Sequence, residues 1–234
     1  MKRFAFPLLL TGLLLVLSAC HQDKDQKEQP VKIYDPYKDA PGRVVMNTYP
    51  NSDQPCDVYI YKVDSAGHKT DELLCHAGYH KNGSLYAEKK YQNGIAEGIW
   101  NAYYEDGTLW STETFRNGVQ VGEEKTFYEN GQLRTFCTYD NGEINGEMRE
   151  YYMSGKLQKK CNFEHGVLVG DYKELYENGK VSVVGHFTAG ICSGEWIKYA
   201  ADGSVSKTMT ADEQTVVCGT CPKCAALRKA ALAH

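Results

Sequence analysis

Between residues 79 and 207 apolar and polar positions alternate in short runs, and glycine pairs break the runs at fixed intervals. A period of two marks a half-buried β-strand. The stretch Phe127–Gly146, FYENGQLRTFCTYDNGEING, holds the whole skeleton: an aromatic pair, Asn-Gly, a leucine, an aromatic, a second Asn-Gly and a last glycine. Gly83, Gly107, Gly131, Gly155, Gly179 and Gly203 lie 24 residues apart, as do the series Gly94 to Gly190 and Gly98 to Gly194. Such a period predicts a repeat array in which each unit is one supersecondary element stacked on its neighbours.

Each unit centres on Asn82-Gly83, Asp106-Gly107, Asn130-Gly131, Ser154-Gly155, Asn178-Gly179 or Asp202-Gly203. Asn-Gly and Asp-Gly accept positive φ at both central positions, as a two-residue type I′ turn requires. Each unit is therefore expected to be a β-hairpin. Counting outwards from the turn sets Tyr128 opposite Leu133, Glu124 opposite Cys137 and Gly122 opposite Tyr139. One face then gathers Tyr104, Tyr128, Tyr152 and Tyr176 with the leucine and valine column Leu85 to Val205. The same face holds Trp100, Met148, Tyr172 and Trp196 at one phase, and Tyr91, Phe115, Tyr139, Phe163 and Phe187 at another. The glycines Gly98 to Gly194 lie opposite this last column, where aromatic rings are expected to cover their backbones. Tyr79, Tyr103, Phe127, Tyr151, Leu175 and Tyr199 fall on the other face, among Glu, Lys and Thr.

The expected fold class is all-β: a single-layer, twisted antiparallel sheet of successive β-hairpins in 24-residue repeats. Residues 46–78 are read as an N-terminal capping hairpin, with Asp57–Val63 as a strand and Ser65-Ala66-Gly67 as its turn. The array occupies 79–207, and 208–234 form a cysteine-containing tail whose alanine-rich end, from Cys224 to His234, suits a short helix. The pattern Tyr-Tyr-x-x-Gly-x-Leu, aromatic-x-Asn-Gly, three residues and Gly-x-Trp resembles the MORN-repeat variant found in bacterial proteins labelled YwqK-type antitoxins. The resemblance covers about 79 to 207 and implies a sheet of successive hairpins. It does not carry antitoxin activity to an exported chain, which is separated from any cytoplasmic toxin.

Composition alters the picture mainly at the ends. The chain of 234 residues has a net charge of -4 and no basic block, which argues against a nucleic-acid partner. Its start, MKRFAFPLLLTGLLLVLSAC, has Lys2 and Arg3, a short apolar run and small residues before Cys20. These features resemble a bacterial lipoprotein signal over 1–19, and the resemblance implies that Cys20 becomes the lipidated first residue of the mature protein. Acyl chains on Cys20 would tether the protein to a membrane of the cell envelope, the outer before the inner. Residues 20–45, polar and carrying Pro30, Pro36 and Pro41, read as a disordered tether.

Eight cysteines remain once Cys20 is set aside, an even number that permits disulfides in an exported chain. Cys137 and Cys161 share a face, yet an intervening strand separates their Cα atoms by about 9 to 10 Å, so no bridge is expected between them. In the tail, Cys218, Cys221 and Cys224 have overlapping Cys-x-x-Cys spacing, suited to disulfide exchange or to a zinc site that lacks its fourth ligand. The scattered histidines and acids give no catalytic set, and the glycines lie in hairpins and do not open helices. The chain therefore reads as a non-enzyme without cofactor, apart from zinc at the tail. It is expected to bind a protein partner, or a glycan, through Tyr103, Phe127, Tyr151, Tyr104, Tyr128, Tyr152, Trp100 and Trp196. The alternative is a thiol- or metal-handling envelope protein that uses its tail.

Overall fold

The computed structural model describes residues 35–210. The signal segment 1–19, Cys20, the tether to residue 34, and residues 211–234 with Cys218, Cys221, Cys224 and the expected helix lie outside the described residues. Within them every regular element is a strand. In chain order these are β1 Arg43–Thr48, β2 Pro55–Val63, β3 Lys69–Tyr79, β4 Leu85–Gln92, β5 Ile95–Ala96, β6 Gly98–Tyr103, β7 Leu109–Arg116, β8 Val119–Gln120 and β9 Gly122–Phe127. There follow β10 Leu133–Asp140, β11 Glu143–Ile144, β12 Gly146–Tyr151, β13 Leu157–Glu164, β14 Val167–Leu175, β15 Val181–Thr188, β16 Ile191–Tyr199 and β17 Val205–Thr210. Neighbours in sequence pair antiparallel throughout, which gives the expected meander of hairpins. The two-residue strands β5, β8 and β11 are the starts of the next long strand, cut off by a bulge; in the last units they run on as β14 and β16.

The turn types are exchanged relative to the sequence reading. At the hairpin tip Gly131 N–H donates to Tyr128 O at 2.8 Å and Tyr128 N–H to Gln132 O at 2.8 Å. Only Gly131 has positive φ, at 78°, so the tip is a type I turn followed by a bulged glycine. The type I′ turn sits in the second loop: Asn141 and Gly142 have φ of 50° and 84°, and Asp140 pairs directly with Glu143. His165-Gly166 and Ala189-Gly190 repeat that conformation in the later units. Asn-Gly occurs in both loops and suits both forms, so the number of residues between paired strands decides which one forms.

The bulge at the tip also shifts the register near it. Glu124 pairs with Cys137 and Gly122 with Tyr139 as expected, but Leu133 pairs with Phe127, not Tyr128. The other leucines follow, as in Tyr103 with Leu109 and Tyr151 with Leu157. Nor are Gly98 to Gly194 covered by rings. All five have positive φ, and a side chain added at Gly98, Gly122 or Gly194 would meet nothing within 4 Å. They recur because the chain bends there through a left-handed conformation that other residues adopt at a cost. A ring does cover a glycine at Gly185, where an added Cβ would lie 2.1 Å from the Trp196 indole.

The core divides between the two faces. Tyr139, Met148, Cys161, Phe163, Tyr172, Phe187 and Trp196 are buried in one cluster on the face that holds the predicted aromatic columns. Cys137 belongs to it as well; β12 separates it from Cys161, and the two are not joined to each other. A second cluster, of Val58, Ile60, Cys75, Ala77 and Tyr79, lies on the opposite face at the start of the array. It is covered by Tyr37 and Ala40. Residues 35–45, assigned from sequence to the tether, are thus ordered. Asp35 accepts the Tyr79 hydroxyl at 2.6 Å, and the Tyr37 hydroxyl donates to Glu88. Proline and charge content concealed the two anchors, Asp35 and Tyr37.

Candidate interaction surface

Pairing carries two unbroken rows of residues across the strands, one on each face. Ala77, Glu88, Asn101, Thr112, Lys125, Phe136, Arg149, Lys160, Lys173, Val184 and Ile197 form the row on the second face. It starts at the buried Ala77 and ends at Val184 and Ile197, and its middle is largely charged, with Phe136 between the Lys125 ammonium at 5.9 Å and the Arg149 guanidinium at 5.7 Å.

On the first face the row runs Gly78, Ala87, Ala102, Ser111, Thr126, Thr135, Glu150, Lys159, Glu174 and Val183. It begins small, becomes polar and then ionic. The Thr126 and Thr135 hydroxyls bond each other, and Lys159 Nζ lies 3.0 Å from Glu150 Oε2, both side chains buried. Such a low row between larger neighbours makes a groove. A cavity of about 350 Å³ opens over it, floored by Thr126, Thr135 and Glu150 and walled on one side by Trp110, Tyr128 and Arg134 and on the other by Tyr139 and Met148.

The hairpin tips form one wall, and they are bonded from repeat to repeat. The hydroxyls of Tyr104, Tyr128, Tyr152 and Tyr176 donate to the carbonyls of Phe127, Tyr151, Leu175 and Tyr199 at 2.7 to 2.8 Å. His80, one period before Tyr104, places Nε2 3.0 Å from Tyr103 O in the same way. Asn82, Asn130 and Asn178 add a second link from their side-chain amides to carbonyls 23 residues on. On the far edge Gly118, Gly142, Gly166 and Gly190 of the second loops donate to the preceding unit, as Gly142 N–H does to Gln120 O at 3.0 Å. Both margins of the sheet are therefore held by polar bonds between repeats, and burial raises the phenol pKa of Tyr104 and Tyr152.

A second cavity, of about 440 Å³, lies at the first two tips and is lined by His80, Tyr86, Tyr103, Tyr104, Trp110 and the acidic Glu105, Asp106 and Glu129. Trp110 is 38% and Tyr86 45% exposed.

The residues expected to bind a partner fare differently. Tyr103 and Tyr151 reach the two cavities, as do Tyr104 and Tyr128 through their rings, whereas Tyr152 is engaged in the ladder. Phe127 pairs with Leu133 away from both cavities. Trp100 packs within the sheet, 4.2 Å from Phe115 and with its indole N–H on Lys90 O. Trp196 is fully buried and presents no surface, so its place among the binding candidates is corrected. Tyr86, Trp110 and Arg134 were missed. They follow the leucine in three successive units, each at the register irregularity between the leucine and the next paired residue, which sets them beside the row on the first face against strict alternation from the turn.

Residues 96–117, 120–141, 144–165 and 168–189 match the family model of the MORN repeat variant. Each match spans one complete hairpin, β6–β7, β9–β10, β12–β13 or β14–β15, and the paired hairpins before and after continue the period. No curated protein matches the chain.

Proposed function

We propose that this chain, four of whose repeats match the MORN repeat variant, is a non-enzymatic scaffold that holds a protein partner along the first face of its sheet, close to the hairpin tips. MORN repeats generally mediate binding to proteins or membranes, and the match of four repeats to this variant supports a scaffold role. The placing of the contact rests on one observation: the row Ser111, Thr126 and Thr135 is low and polar, and the half-exposed rings of Trp110 and Tyr128 border it. A partner laid across the strands would set small groups on this floor and cover the aromatic wall. Tyrosine and tryptophan offer large contact area with few torsions to restrict, which makes them effective anchors.

We further propose that acylation of Cys20 fixes the protein to an envelope membrane, with residues 21–34 as spacer. Metabolic labelling with an alkynyl fatty acid should mark the wild type and leave Cys20→Ala unmarked.

The scaffold reading is tested by photo-crosslinking in intact cells, comparing the wild type with Tyr86→Ala/Trp110→Ala and with Phe127→Ser. A discrete crosslinked partner is expected in the wild type and in Phe127→Ser and should vanish from the double variant. Equal crosslinking by all three proteins would overturn the proposed face. A neutral oligosaccharide that displaces the partner would make the ligand a glycan.

A further inference from the structure

The cavity at the first two tips brings aromatic rings and carboxylates together. We infer that it receives a cationic side chain, a guanidinium or an ammonium, from a basic segment of the protein partner. This inference rests on the scaffold reading above and names the chemistry of one contact within it.

Charge is the first argument. Glu105, Asp106 and Glu129 line the cavity, and among the described residues no lysine or arginine does. Arg134 of the next unit does not line the cavity but acts electrostatically on Tyr104, and His80 is the remaining titratable side chain of the lining besides the tyrosines. The Asp106 carboxylate accepts the Thr108 amide at 2.8 Å, which holds its pKa below the usual carboxylate range. Glu105 is fixed through its own carbonyl, which receives Asn82 Nδ2 at 3.0 Å and Ser84 Oγ at 2.8 Å.

The rings supply the second. Tyr86 meets His80 edge to face at 5.1 Å, and Tyr104 is held by its bond to Phe127 O. Ring faces set in this way attract cations, and nearby carboxylates add to the field.

The third argument comes from the chain itself. One period on, Trp110 is replaced by Arg134 and Tyr104 by Tyr128. There the Arg134 guanidinium lies 5.6 Å over the Tyr128 ring. The repeat thus fills its own tyrosine site with a cation in that unit. In the preceding unit the same ring site is flanked by Trp110 and three acids, and a partner must supply the cation.

The test uses the full mature chain in detergent and a short acetylated peptide alternating arginine with serine, with a citrulline peptide of equal length as control. Binding is read from tryptophan fluorescence against a Trp110→Phe blank. The arginine peptide should bind saturably and the citrulline peptide at least ~10-fold more weakly, a loss that 0.5 M salt should reproduce. Asp106→Asn/Glu129→Gln should weaken the arginine peptide about 5- to 20-fold, since an exposed cation–carboxylate pair and a cation–π contact are each modest. Asn82, Asn130 and Asn178 already occupy the turn position of Asp106, so this variant keeps its fold, and its melting curve should confirm that. Equal binding of the two peptides, no binding of either, or no effect of the double neutralisation would each overturn the inference. If crosslinking in cells is lost in Tyr86→Ala/Trp110→Ala but intact in Asp106→Asn/Glu129→Gln, the scaffold stands and the cation site falls.

Discussion

The Tyr128 hydroxyl donates to the Tyr151 carbonyl at 2.7 Å, across 23 residues of chain and from one hairpin tip to the next. Three further tyrosines repeat the bond, so the tips form a ladder whose rungs are side chains and whose rails are strand ends. In an array each unit touches only its neighbours, and stability is a sum of unit and interface contributions. The rungs belong to the interfaces.

Tyr128→Phe removes one rung while keeping the ring. It should lower stability by about 0.5 to 1.5 kcal/mol, the usual net worth of such a bond. Tyr152→Phe should cost a similar amount, and the double variant the sum of the two. Urea unfolding of the three proteins checks this; a change below about 0.2 kcal/mol in each would show the rungs to be idle.

Ala189 holds φ at 49°, in a position where other units place Asn93, Asn117 and Asn141. A left-handed alanine is strained by about 1 to 2 kcal/mol. Ala189→Gly or Ala189→Asn should therefore stabilise the protein by about 1 kcal/mol, seen as a higher midpoint in thermal unfolding, whereas Ala189→Val should lower it.

Gly185 lies under the fully buried Trp196, with 2.1 Å between an ideal Cβ and the indole. Gly185→Ala should destabilise by ~1 to 3 kcal/mol through overpacking. In a Trp196→Met background the same substitution should cost much less, because Met148 is the native residue at the equivalent place two periods earlier. A double-mutant cycle by urea unfolding measures the coupling.

Acid should weaken the capping hairpin. His76 Nε2 lies 2.9 Å from Asp57 Oδ1, and this bond lowers the Asp57 pKa in the folded chain. Glu147 is lowered too, chiefly by Lys160 and then by Arg149. A carboxylate with a depressed folded pKa contributes its full stabilisation above the unfolded value of about 3.9 to 4.3, and loses it as pH falls through the folded value. Stability should therefore be level from pH 7 to 5 and drop below about pH 4, less steeply in Asp57→Asn.

Much of this was legible from local pattern. The period set the number of hairpins, and the alternation of Glu124, Cys137 and Tyr139 set their faces, because both depend on residues close in the chain. Three features escaped for one reason. The turn types, the place of Trp110 beside Thr126, and the cover that Tyr37 provides over Ala77 depend on how many residues separate two paired strands or on a contact made across many residues. An irregularity just past the leucine, between Leu109 and Ser111 as between Leu133 and Thr135, sets the intervening residue outside the alternation, and no propensity at Trp110 records it.

The amino-acid sequence by itself determined a 24-residue hairpin repeat and the columns that would be buried, since turn chemistry and period-two alternation are properties of neighbouring residues. Tertiary structure alone decided that the Tyr104 column spends its hydroxyls on the next repeat, that Trp196 is enclosed over Gly185, and that Trp110 and Tyr86 border the cavities. Those outcomes follow from hydrogen bonds and packing between units, which exist only when the hairpins stand side by side.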